Sequence, residues 1–101
     1  MTDKPQTKVY RTVVPYVPES LDTVRWLTRE SIENAITADN LMLVTYDEYD
    51  VDPTELPAKG VEVATAAVAE EFGVDPAAVR WRAFVAEAKL RPETEALLRT
   101  L

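Results

Sequence analysis

The chain has no cysteine and no histidine. Without thiols there is no disulfide framework, no thiolate nucleophile and no thiolate metal site. Without imidazole it lacks the commonest acid/base group near neutral pH and the commonest transition-metal ligand. Glycine is nearly absent too: Gly60 and Gly73 are the only two. That excludes a phosphate-binding P-loop and a dinucleotide fingerprint, both of which need several glycines at fixed spacing. The serines are Ser20 and Ser31, and with no histidine to activate either, a hydrolase triad is excluded. None of the four lysines is flanked by a second base or set in an apolar run that would lower its pKa. Uncharged runs such as "TVVPYVP" and "NLMLVTY" reach seven residues, whereas a membrane span needs about 18 or more. The start, "MTDKPQTKVY", carries no apolar core of a signal peptide. No enzyme activity, cofactor, metal or membrane association is expected, and a cytoplasmic location fits.

What is present is charge, unevenly placed. The net charge is −7. Residues 39–75 hold ten acids and a single base, Lys59, while the flanking segments are neutral or slightly basic. An acidic middle repels phosphate, so direct nucleic-acid binding is disfavoured. With 47% hydrophobic and 29% charged residues, the 101-residue chain reads as one globular domain, residues 1–101, with 1–7 polar and frayed. Abundant Ala, Val, Arg, Asp and Glu beside scarce Ile, Asn and Lys are what a GC-rich bacterial or phage genome encodes.

The hydrophobic pattern alternates between two periods. Residues 8–14 are β-branched and alternate, which predicts a strand that ends at Pro15 or lies at a sheet edge. From Ser20 a 3.6-residue period through Leu21, Val24, Leu27, Thr28, Ile32 and Ala35 predicts a helix, with Ser20 as its cap. "LMLVTYDEY" is a second strand, apolar on both faces in its first half as an interior strand would be. Val61, Ala64, Val68 and Phe72 line one face of a second helix closed by Gly73. Residues 76–90 fit either a continuous helix or a turn capped by Asp75 followed by a strand at 79–87. Alternation of Trp81, Ala83 and Val85 against Arg80, Arg82 and Phe84 favours the strand. "RPETEALLRTL" closes as a short helix. The expected class is α+β: a small three-stranded sheet with helices packed on one face, in the order β-α-β-α-β-α. A split ferredoxin-like arrangement would need a fourth strand.

The candidate site is "TYDEYDVDPTE", residues 45–55, with Asp47, Glu48, Asp50, Asp52 and Glu55 and no base among them. As a calcium loop it fails, because an EF-hand needs Gly at position six and Glu at position twelve. Counting from Asp47 puts Asp52 at six; counting from Asp50 puts Glu55 at six and Val61 at twelve. As a carboxylate pair it fails because neighbours on a strand point to opposite faces. Two readings lead. The acids are a solvated strand end offset by Arg80 and Arg82 on a neighbouring strand, or they are a recognition surface for a basic partner. Trp26 and Trp81 are rim-of-core indoles or interface anchors. The function expected is a small non-catalytic accessory protein that binds another protein, with its own copy, as a homo-oligomer, a second candidate partner. The alternatives are an acidic nucleic-acid mimic that inhibits a DNA-binding protein, and a carboxylate-based divalent-metal protein or enzyme.

Overall fold

The computed structural model describes residues 7–100; the N-terminal 1–6 and residue 101 lie outside it, and so does most of the stretch expected to fray. Three strands are present: β1 (Thr7–Tyr16), β2 (Leu41–Asp50) and β3 (Arg80–Leu90). The helices are α1 (Leu21–Ala38), α2 (Ala58–Phe72) and α3 (Pro92–Arg99). The order is β-α-β-α-β-α and the class α+β.

The sheet order is β1-β3-β2, with both outer strands antiparallel to β3. β1 and β2 therefore run parallel to each other with the last strand inserted between them. This differs from the interior position expected for β2. Both faces of its first half are apolar because Leu41 and Leu43 meet the core, while Met42 and Val44 lie on a face left partly open. β3 is the interior strand, and its identity explains why: Ala83, Phe84, Ala86 and Ala88 are all fully buried. Small side chains there let α1 approach the sheet closely. Val44 is the extra residue of a bulge between Leu43 and Thr45, so the ladder regains its phase one residue late.

α1 covers one face. Its buried residues are Thr28, Ile32 and Ile36, steps of four that continue from half-buried Val24. Leu27, expected on this stripe, is exposed instead. Ile32 and Ile36 pack with Leu41, Phe84, Ala86 and Ala88, and Tyr10, Val14 and Tyr46 close the cluster. Ser20 does not cap α1 through its side chain. Its hydroxyl donates to the Val17 carbonyl at 2.9 Å and so closes the short 3₁₀ turn before the helix. Asn40 takes the left-handed φ of 61° that turns the chain from α1 into β2.

α2 meets the other face, and only at one end. The indole N–H of Trp81 donates to the Thr65 hydroxyl at 3.3 Å. Trp81 and Ala83 share a pleat phase opposite to Phe84. Of α2 only Ala69 is buried, and Phe72, expected inside, is half exposed. Asp75 accepts from the Ala77 N–H at 2.8 Å, which forms the capped turn that leads into β3. No residue of α3 is buried. The radius of gyration is 17.5 Å, against about 13 Å for a compact chain of 100 residues. The extra length leaves a good deal of apolar surface uncovered.

Gly73 ends α2 with φ 64°. A Cβ there would meet nothing within 4 Å, so any effect of substitution is conformational alone. Gly73→Ala is expected to destabilise by about 1 kcal/mol, the left-handed penalty of an L-residue. A denaturant midpoint unchanged by the substitution would contradict this account of the helix end.

Candidate functional site

The structure disperses the five carboxylates of 45–55. Alternation along β2 sends Glu48 and Asp50 to the α1 face and Asp47 to the other. Glu48 accepts from Arg25 Nε at 2.7 Å and lies 2.6 Å from Arg25 Nη2 and 2.8 Å from Arg82 Nη1. Asp50 accepts from the Tyr16 hydroxyl at 3.0 Å and lies 3.2 Å from Arg82. Asp52 accepts from the Thr54 N–H and hydroxyl at 2.9 and 2.8 Å, so it caps the following 3₁₀ turn. Asp47 and Glu55 are exposed, and neither makes an ion pair among the described residues. Arg82 therefore offsets the acidic strand end as expected. Arg80 is exposed and forms no ion pair among the described residues, and Arg25 takes the place assigned to it.

The Glu48 carboxyl is held below its ordinary range, first by the hydrogen bonds from Arg25 and then by the charges of Arg25 and Arg82. Both Glu48 and Arg82 are largely buried, at 20% and 15% side-chain exposure. Arg82 Nε and the Tyr46 hydroxyl are buried with no hydrogen-bond partner among the described residues. Burial raises the Tyr46 phenol above its ordinary pKa, and Glu48 adds to the rise. No group of three carboxylates among the described residues is placed to hold a metal ion.

The two tryptophans part company. Trp81 is 7% exposed and bonded to Thr65, so it is a core residue and offers no ring to a partner surface. Trp26 is 65% exposed on the outer side of α1. It stands at the edge of a groove of about 790 Å³ between α1 and β2. Asp22 and Glu30 lie one helical turn before and after it, on the same stripe. Across the groove the Arg29 guanidinium sits 4.8 Å from the centre of the Tyr46 ring and pairs with Glu33 at 2.6 Å. Five carboxylates line the groove: Asp22, Glu30, Glu33, Asp47 and Glu48. Its only bases, Arg25 and Arg29, are already paired with acids. Glu30 makes no ion pair among the described residues. The groove thus presents an exposed aromatic face beside uncompensated negative charge.

The sequence alone places Asp22 in the first turn of α1, where the helix dipole favours an acid, and Glu30 and Glu33 on the polar side of that helix. The missed signal is their spacing around Trp26, at i−4, i+4 and i+7. No family model, curated protein or solved structure matches the chain. No helix among the described residues is long and apolar enough to cross a membrane.

Proposed function

We propose that this is a small non-catalytic accessory protein that binds a protein partner, and that the α1–β2 groove receives a basic segment of that partner. One observation carries the reading: Trp26 stands exposed between Asp22 and Glu30 at the lip of an acidic groove. A Lys or Arg side chain laid over the indole would gain a cation–π contact and two flanking carboxylates together. Exposed aromatics of this kind are the usual anchors of interfaces. The absence of imidazole, thiol and glycine-rich loops supports a binding role over catalysis, and a cytoplasmic protein of a GC-rich bacterium or phage fits the composition.

The nucleic-acid mimic draws less support. Such a mimic needs free carboxylates spaced like phosphates. Glu48, Asp50 and Asp52 are held by Arg25, Arg82, Tyr16 and Thr54, so two of the five acids remain without such partners.

Titration with a nona-arginine peptide tests the groove. Trp26 emission should change on binding, while Trp81, buried, supplies a constant background. Measured by titration calorimetry, which needs no indole reporter, Trp26→Ala is expected to weaken binding about tenfold, and Glu30→Gln somewhat less, with stability unchanged within about 0.5 kcal/mol. The affinity should fall steeply with salt. Neutralising Glu70 and Glu71 on α2 should leave it in place. Unaltered emission at millimolar peptide and low salt, or equal losses from the α2 variants, would refute the proposal.

A further inference from the structure

The floor of the Trp26 groove is the outer edge of the sheet. Tyr46, Asp47 and Glu48 all line it, although neighbours on a strand point their side chains to opposite faces. A groove that meets three consecutive strand residues reaches the backbone between them. β2 is an outer strand, so its backbone is paired on one side only. A single hydrogen bond fixes which groups are left over. The Val51 N–H donates to the Trp81 carbonyl at 2.9 Å, just past the end of the β2–β3 ladder. Residues that face the neighbouring strand alternate in an antiparallel pair, so Asp47 and Tyr49 also turn their N–H and C=O to β3. Tyr46, Glu48 and Asp50 turn theirs outward, where no strand of the described residues meets them.

α1 forms the wall of the groove at a matching pitch. Arg25 bonds Glu48, and Arg29 lies over Tyr46. Four residues of helix thus run beside two of strand, in opposite directions. Four helical residues rise about 6 Å and two strand residues about 6.8 Å. Asp22, Trp26 and Glu30 repeat at the same four-residue step and line the groove. A strand laid outside β2 would carry every second side chain past one of them.

We propose that the groove takes its basic partner segment as an extended strand, added to β2 along residues 45–50. The inference rests on the groove being the binding site and adds how the segment is held and what pattern it carries. Main-chain hydrogen bonds supply the affinity of such additions, and flanking side chains the specificity. On the α1 side the added strand carries Lys or Arg at every second position, against Asp22, Trp26 and Glu30. The residues between them lie beside Asp47 and Tyr49 on the other face, both exposed, where a Thr suits the half-solvated position. Charge selects the occupant. Two copies of this chain joined through β2 would set Asp47, Glu48 and Asp50 against the same acids. The β1 edge carries Lys8, Arg11 and Pro15, residues that guard an edge and repel a basic strand. The bulge at Val44 ends the open stretch of β2 on its other side.

The probes are two capped octapeptides of one composition, alternating Lys-Thr-Lys-Thr-Lys-Thr-Lys-Thr and paired Lys-Lys-Thr-Thr-Lys-Lys-Thr-Thr. By calorimetry the alternating peptide should bind about fivefold more tightly. Amide exchange read by NMR is the deciding measurement. With the alternating peptide bound, the Tyr46, Glu48 and Asp50 amides should exchange about tenfold or more slowly. Those of Asp47 and Tyr49, already bonded to β3, should not change. N-methylation of the peptide should abolish binding at one alternate set of residues and spare it at the other. The sensitive set is the lysines in an antiparallel addition and the threonines in a parallel one. Failure of both peptides to bind would sink the groove and the added strand together. Binding that Trp26→Ala weakens, without alternating protection along β2, would keep the groove and overturn the strand. Alternating protection indifferent to Trp26→Ala would keep the strand and remove Trp26 as its anchor. Equal response to the two methylations would overturn the proposal. So would protection of the same amides on concentrating the chain alone, which would assign the edge to a second copy.

Discussion

Phe84→Ala is expected to destabilise the protein by about 3–5 kcal/mol, the range for deleting a buried aromatic side chain. Phe84 is the largest fully buried side chain on the central strand, at 0% exposure. Its ring lies 6.3 Å from that of Tyr46, and Ile32 and Ile36 of α1 close over it. On its face of β3 the neighbours are Ala86, then Ala88, on one side and Arg82, tied to Glu48 and Asp50, on the other. Alanines cannot swing into the vacated space, so the cavity would persist rather than collapse. A domain of this size is stable by only about 5–15 kcal/mol, so the loss is a large share of the whole. Urea unfolding followed by Trp81 emission measures it. The midpoint should fall with little change in slope, and Phe84→Leu should recover most of the difference. A loss for Phe84→Ala under about 1 kcal/mol would show that the core is not organised around this ring.

Glu48→Gln should have the second largest effect, about 1–3 kcal/mol at neutral pH. The substitution keeps the shape and removes the charge that Arg25 and Arg82 share. Arg82 is the side chain that suffers, because it is largely buried and its Nε has no partner among the described residues. The figure is kept below that for a fully buried pair because Glu48 retains some exposure. The pH dependence has a definite sign. Glu48 has its folded pKa lowered from an ordinary 4.5. Its stabilisation is therefore complete above about that value and is lost as pH falls through the lower, folded one. Glu48→Gln should remove this part of the acid limb, leaving a flatter stability profile below pH 4.5. Replacing Arg82 by Met in the Gln variant should return part of the loss, since it removes a largely buried charge left with Asp50 as its one acid. An acid limb of equal steepness in native and variant proteins would show that the bridge does not couple to folding.

How much of this could be read from the residues depends on the range of the interaction. The alternation of 80–85 and the Asp75–Pro76 pair were local signals. They placed a capped turn and then a strand where the structure has them. Gly73 likewise marked the end of α2. Strand order was not local. β2 reads as interior because Leu41–Val44 is apolar throughout, yet its outer edge is unpaired and β3 takes the centre. Thr28 and Ile32 of the expected helix stripe are buried, but Leu27 and Ala35 are exposed and Ile36 takes an inner place, because a 3.6-residue period leaves the direction of the core undecided until the sheet is in place. The acidic stretch misled for a related reason. Five adjacent carboxylates look like one surface, but a strand's pleat divides them between two faces, and the arginines that bind them come from elsewhere in the chain. Trp26 and Trp81 have similar flanks in the sequence; only tertiary structure sets one outside and the other inside.

The position of β3 has a consequence for synthesis. Every rung of the ladder includes a residue between 80 and 90. While the ribosome is still making the first three quarters of the chain, β1 and β2 have no strand to pair with, and the inner side of α1 has no floor. The nascent polypeptide can coil its helices early, but it closes its sheet only after translation has passed Leu90. The exposed valines of both outer strands must wait until then without sticking to anything else.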